Sequence, residues 1–439
     1  MESNVDYIYT DNEIRAKYNN LYYINNKFVF LTTNKNIILK KVRISITSAS
    51  PVCFDNQIIP TLILFENIDK LCEYVNTIKY TKINGITGYF SHYYDWNVAH
   101  GLYDSLYPIF LTYLFFFNNN NKKNDIFNIF INLLYIPGWK FPGISSRDWV
   151  LDIFKQFSGG KFIKENVNNQ YINENFKFEI LIMGNALAGI TAVNKNGQMP
   201  GREIYALENF RDRMLRMYNI HYETQEINNN NNNNNNKVIR IINSRRYSKE
   251  EKDILLKIVQ EFKIKGYDSD YIYWDNINSF KEQLKIMNKI DIHISGAGTS
   301  MLNFPFLRDD CVHINLGVNK INEPKIPDKI PGFFEVNCCL LSNNIYCDYY
   351  NLFEFKQILY TPLVNMINSH IDRLESENIS EKFIQIIPEY IKFWRQYCKD
   401  NSDTMDIIIK RMSGLINPNL VSYRWPELLY FKKYPFNNQ

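Results

Sequence analysis

Between Lys237 and Leu316 short β-rich runs and helical stretches take turns, and few architectures accept that order. Lys237 to Ile242 is a run of β-favouring residues. Ser248-Lys249-Glu250-Glu251 is a capping box that opens a helix with apolar residues at Ile254, Leu255, Ile258 and Phe262, closed by Gly266. Tyr271 to Trp274 reads as a strand, Ser279 to Asn288 as a helix, Asp291 to Ser295 as a strand, Thr299 to Leu307 as a short helix and Cys311 to Leu316 as a strand. Strands joined by helical crossovers form a parallel sheet, so the expected class is α/β, with ligands outside the carboxyl ends of the strands.

The Gly296-Ala297-Gly298 turn falls at such an end, between an apolar strand and the helix start at Thr299-Ser300. Glycines let backbone N–H groups approach a ligand closely, and a helix N-terminus behind them favours an anion. Ser295 to Ser300 is therefore a candidate phosphate cradle. Arg240, Arg245 and Arg246 lie on the strand that opens this half or just beyond it, and arginine forks onto phosphate oxygens bidentately. A solvated basic loop is the alternative for the same three residues.

The first half is less regular. Lys27 to Thr33, Val42 to Thr47 and Ile58 to Phe65 are β-rich, whereas Val98 to Phe116 and Arg147 to Phe157 are helical. On the first of these helices Asn97, His100 and Asp104, spaced by three and four, share one face while Leu102, Leu106, Ile109 and Phe110 point towards a core. An imidazole beside a carboxylate is suited to orienting a general base or holding a sugar hydroxyl; a satisfied core pair is the alternative. From Glu354 the chain reads as helical, most clearly over Phe383 to Cys398. The asparagine runs at Asn118 to Asn121 and Asn228 to Asn236 bury no apolar surface and read as solvated insertions.

Composition narrows the function classes. With 45% hydrophobic residues in 439, the chain is globular and long enough for two domains, and a net charge of +4 supplies no field for nucleic-acid binding. Seven scattered cysteines with no C-x-x-C spacing argue against a disulfide framework and a zinc site. The glycine turn lacks the G-x-G-x-x-G that a dinucleotide would need, and no P-loop or H-E-x-x-H is present. The longest apolar run, Tyr107 to Phe117, is too short to span a bilayer, and the polar Met1 to Tyr7 segment has no signal-peptide character. These features lead to the expectation of a cytoplasmic protein, or of one in the Golgi or endoplasmic reticulum lumen if the N-terminus is incomplete.

Taken in order, Asn97-x-x-His100-x-x-x-Asp104, an arginine-bearing strand-to-helix segment, Glu282-Gln283 and Ile294-Ser295-Gly296-Ala297-Gly298 resemble glycosyltransferase family 61. That family's pattern runs N-x-x-H-x-x-x-D, R-x-x-x-R-x-x-N-E, then E-Q and H-G-A-G-L-T-N-x-x-F. The resemblance covers about Gly88 to Gly317 and includes Phe304. Ser295 stands where the family has histidine, Thr299-Ser300-Met301 replaces Leu-Thr-Asn, and the middle motif is compressed to Asn243-Ser244-Arg245-Arg246-Tyr247-Ser248.

The resemblance implies a GT-B architecture: two Rossmann-like domains facing a central cleft. Residues 1–200 would form the acceptor side and 201–350 the nucleotide-sugar side, with a helical region over 351–439 packing on both. It implies an inverting, metal-independent transferase that needs no cofactor and moves a sugar from a nucleotide-sugar donor to a glycan or glycoprotein acceptor. His100 or Asp104 would be the base; Arg240, Arg245, Arg246, Ser295, Gly296, Ala297, Gly298, Thr299 and Ser300 would bind the donor; Asn97, Glu282 and Gln283 would support them. The alternative is a catalytically silent relative that binds a nucleotide sugar or a glycan.

Overall fold

The computed structural model describes residues 2–10, 13–46, 55–92, 98–117, 127–133, 144–167, 170–184, 206–221, 237–245, 247–277, 279–296, 301–316, 345–350 and 357–375. These fall into two compact units, one running to Ala206 and the other starting at Leu207.

The first unit opens with antiparallel strands. β1 (Asn4–Thr10) pairs with the first part of β2 (Glu13–Ile24), whose last residues pair with β3 (Lys27–Thr32). β2 serves both neighbours because it turns at Asn20, which sits at φ 53° in the left-handed region that asparagine tolerates. Asn25 and Asn26, also at positive φ, make the tight turn into β3. β4 (Val42–Ile46) and β5 (Asp55–Ile58) form a separate ladder, and β6 (Thr61–Leu64) joins β3 in parallel. The β-rich stretch Ile58 to Phe65 is thus two strands in two sheets, because Pro60 has no N–H to continue a ladder.

Helix α1 (Ile68–Asn76), capped by the Asn67 side chain, leads into the parallel part of the sheet. There β7 (Thr81–His92), helix α2, β8 (Phe127–Leu133), helix α3 (Ile144–Ser158) and β9 (Phe162–Lys164) alternate, with the three strands parallel neighbours. Helix α2 spans three segments: Val98–His100 is α-helical, Gly101–Leu106 is a π-turn, and Tyr107–Phe117 is α-helical again. After a small hairpin of β10 (Asn166–Val167) and β11 (Gln170–Tyr171), β12 (Phe176–Met183) inserts parallel to β7 and antiparallel to β2. The result is a mixed sheet in the order β6-β3-β2-β12-β7-β8-β9.

An aromatic core of Tyr23, Phe28, Phe130, Phe176 and Phe178 fills one face of this sheet. Within it the Tyr23 and Tyr89 hydroxyls donate to the Glu165 carboxylate, whose pKa burial nevertheless pushes up. At the end of β12 the buried Arg15 guanidinium donates to Thr112 Oγ1 and to the Gly184 carbonyl. Gly184 sits at φ 130°, and a Cβ there would come within 2.9 Å of the Arg15 Cα. Gly184→Ala is therefore expected to destabilise the protein by about 1–3 kcal/mol, read as a lower denaturation midpoint.

The second unit begins within helix α4 (Ala206–Met217) and is built on β13 (Val238–Ile242), β14 (Asp268–Ile272), β15 (Ile292–Ser295), β16 (Val312–Asn315) and β17 (Tyr346–Tyr349). All pair in parallel, in the order β14-β13-β15-β16-β17. Helix α5 (Lys249–Ile264) begins at the Ser248 and Glu251 capping box and ends before Gly266, which takes φ 91°. Helix α6 (Phe280–Met287) links β14 to β15, and the 3-10 stretch Met301–Phe306, which contains Pro305, links β15 to β16. The strand read at Tyr271 to Trp274 starts earlier, at Asp268, and gives way to a 3-10 turn at Trp274–Asn276.

Ile239, Ile241, Ile292, Ile294, Val312 and Ile314 form the apolar face of this sheet, against Leu255 and Ile258 of α5 and Leu363 and Ile367 of α7 (Tyr360–Glu375). Helix α7 is thus part of the second unit's core. The helix read at Phe383 to Cys398 and both asparagine runs lie outside the described residues. The molecule is a mixed α/β protein, and no described helix is long and apolar enough to cross a membrane.

Candidate functional site

In the first unit the functional groups gather where β7 ends and α2 begins. His100 Nδ1 lies 2.6 Å from the Asp104 carboxylate, with the imidazole a quarter exposed and the carboxylate almost fully buried. A carboxylate only accepts, so Nδ1 carries the proton and the basic lone pair sits on Nε2. The spacing of four reads correctly from sequence, but these residues occupy a π-turn, marked by the Tyr107 N–H reaching back to the Leu102 carbonyl. Gly101 suits this close approach, because an added Cβ would lie 2.6 Å from the Val150 side chain of α3 and would force it to shift. Asn97, the third member of the expected set, lies outside the described residues.

The next residue along the turn makes a second imidazole contact. Ser105 Oγ is 2.9 Å from Nδ1 of His92, the last residue of β7, and both are buried. The His92 ring stands edge-on to Phe154 of α3. Sequence reading misses this pair because nothing in the local pattern marks Thr81 to His92 as the strand whose carboxyl end meets the helix.

In the second unit the carboxyl end of β15 carries Ser295 and Gly296. The Gly296 N–H, expected to face a phosphate, instead donates to the hydroxyl of Tyr247 at 2.6 Å. Tyr247 is buried, which raises its pKa and keeps the phenol neutral. Ser295 Oγ is also buried and has no hydrogen-bond partner among the described residues. Tyr247→Phe removes the acceptor from a buried amide and is expected to destabilise the protein by about 1–3 kcal/mol, measured by denaturant titration. Ala297, Gly298, Thr299 and Ser300 lie outside the described residues.

The three candidate arginines separate. Arg240 turns towards the amino ends of the strands, where its guanidinium pairs with the Asp268 carboxylate at 2.8 Å and with the Asp268 carbonyl. Ile242, level with Ile272, marks the opposite, carboxyl end. Arg245 is exposed in the loop between β13 and α5, at the carboxyl end; Arg246 lies outside the described residues.

Glu282 and Gln283 also divide. Glu282 pairs with Lys285 on the exposed face of α6, whereas the buried Gln283 accepts a hydrogen bond from Asn303 and so ties the segment after the glycine turn to α6.

Sequence reasoning also passes over two imidazoles at the centre of this sheet. His293 of β15 and His313 of β16 are register partners, fully buried, with their Nδ1 atoms 2.8 Å apart. Phe304 stacks flat on His313 at 4.5 Å. Burial lowers both pKa values, that of His313 to about 3 and that of His293 well below its ordinary range. One ring donates through Nδ1–H and the other accepts, so both are neutral, and their Nε2 atoms have no partner among the described residues. The repeated Ile-His-Ile and Val-His-Ile pattern in two consecutive strands is the signal that could have exposed them.

At the end of β17 the Asp348 carboxylate lies 2.8 Å from Nε2 of His370, docking α7. Among the described residues no group of three His, Cys, Asp or Glu side chains is placed to hold a metal ion. Compared with known proteins, the sequence matches no protein-family model and no curated protein.

Proposed function

We propose that the protein is a glycosyltransferase that moves a sugar from a nucleotide-sugar donor, a UDP-sugar, to a hydroxyl of a protein or polysaccharide, with inversion and without a bound metal. The observation that carries this reading is the His100–Asp104 pair: a partly exposed imidazole whose proton is fixed on Nδ1 by a buried carboxylate, leaving Nε2 as the base. In a direct displacement Nε2 takes the acceptor hydroxyl's proton, the hydroxyl oxygen bonds to the anomeric carbon, and the bond from that carbon to the diphosphate oxygen breaks. The charge released on the diphosphate calls for backbone N–H or guanidinium groups to meet it. Arg240, held by Asp268, has no part in this.

The test is to incubate the purified protein with a panel of UDP-sugars and follow UDP release, since transferases hydrolyse their donors slowly when no acceptor is present. Release that disappears in His100→Ala supports the reading. Absence of both release and thermal stabilisation across the panel overturns it.

A second reading, a silent relative that binds a nucleotide sugar without transfer, is favoured by two features of the turn. Ser295 replaces the family's histidine, and Tyr247 already occupies the Gly296 amide. Stabilisation by UDP with no release from any sugar would select it, because a ligand that binds only the folded state raises the melting temperature by mass action.

A further inference from the structure

Two side chains that follow each other in the π-turn reach two different imidazoles: Asp104 meets His100 and Ser105 meets His92. In an α-helix residue i+4 is rotated about 40° past residue i. A π-turn, with more residues per turn, swings residue i+4 to the other side of residue i, and here it sets Asp104 2.6 Å from His100. Such turns have poorer hydrogen-bond geometry than the α-helix and persist where side chains hold them.

Here the turn is held on two sides. Gly101 lets it press against Val150 of α3, and Ser105 fastens it to the end of β7 through His92, whose own ring is fixed against Phe154. His92 and Ser105 are too deeply buried to meet a substrate, with 2% and 3% of their surface exposed. Their contact therefore acts through the turn.

We infer that His92 and Ser105 are positioning residues: their contact keeps residues 101–106 in the π conformation and thereby holds Asp104 where it fixes His100 as the Nδ1–H tautomer. The significance of the inference rests on reading His100 as the base of a transferase, but its test does not use transfer.

The test is the tautomer of His100, read from the two ring nitrogen shifts by NMR; the chain has six histidines, which single substitutions assign. In the wild-type protein His100 is expected as the Nδ1–H form. Ser105→Ala and His92→Phe both remove the contact, and the Nδ1–H to Nε2–H ratio of His100 is expected to fall about fivefold, the weight of one hydrogen bond. His92→Asn keeps a polar group near the position of Nδ1 and is expected to restore the wild-type ratio, which a merely space-filling role for His92 would not do.

An unchanged ratio in whichever of Ser105→Ala and His92→Phe folds overturns the inference, as does a ratio that falls equally in His92→Asn and His92→Phe. Should Ser105→Ala not fold, the two His92 variants decide alone. A protein that shows this coupling yet neither releases UDP from any UDP-sugar nor is stabilised by one keeps the positioning contact and loses the transferase reading.

Discussion

His100→Ala is expected to lower the turnover of a UDP-sugar by about 10²–10⁴-fold, the usual worth of a positioned general base. Donor binding should change little, because a general base acts on the acceptor hydroxyl rather than on the diphosphate. Asp104→Asn tests the same pair from the other side. The amide offers Nδ1 either a donor or an acceptor, so the proton is no longer fixed on that nitrogen, and a large share of the imidazoles present the wrong atom to the substrate. Turnover should fall in both variants, with the thermal shift produced by UDP preserved. Wild-type release in His100→Ala would remove the imidazole from the mechanism.

The second large effect concerns acid. An unfolded chain protonates histidine below about pH 6.5, whereas the folded second unit keeps His293 and His313 neutral far below that, His313 down to about pH 3. Because the unfolded state binds more protons over this window, stability is complete above about pH 6.5 and falls as the pH drops. At about 1.4 kcal/mol per pH unit for each imidazole, the pair loses about 4 kcal/mol by pH 5. Comparing urea midpoints at pH 7 and pH 5 reads this directly. A double variant, His293→Leu with His313→Phe, should flatten the dependence over that interval, since two apolar side chains take up no protons. Equal slopes in the wild type and the double variant would show that the acid sensitivity arises elsewhere.

Much of the second unit is legible in its sequence because its signals are local. The Ser248 and Glu251 box, the apolar spacing behind it and Gly266 lie within one helix, and each names its own element. The antiparallel strands of the first unit carry no such signal. β2 is rich in tyrosine and asparagine, and its pairing with β1, β3 and β12 is set by a turn at Asn20 and by side chains from distant parts of the chain.

The candidate sites divide in the same way. His100 and Asp104 are four residues apart, so any helix puts them on one side, while the π-turn that carries Asp104 has no mark in the sequence. Tyr247 meets Gly296 across 49 residues and two crossovers, and only the register of a finished parallel sheet brings His313 beside His293. Arg240 reads as a phosphate ligand until the strand direction is known, after which its side chain lies towards the amino ends with Asp268.

The strand order of the second unit also bears on how the chain is made. β13 leaves the ribosome first of the five strands, yet it lies between β14 and β15, and Ser295 trails Val238 by several seconds at ordinary rates of synthesis. Until then one edge of a β-rich strand has no partner in its own sheet. A nascent chain stalled between α5 and β15 should consequently be the form that chaperones hold longest and that proteases cut most readily, and release past Leu316 should end that exposure.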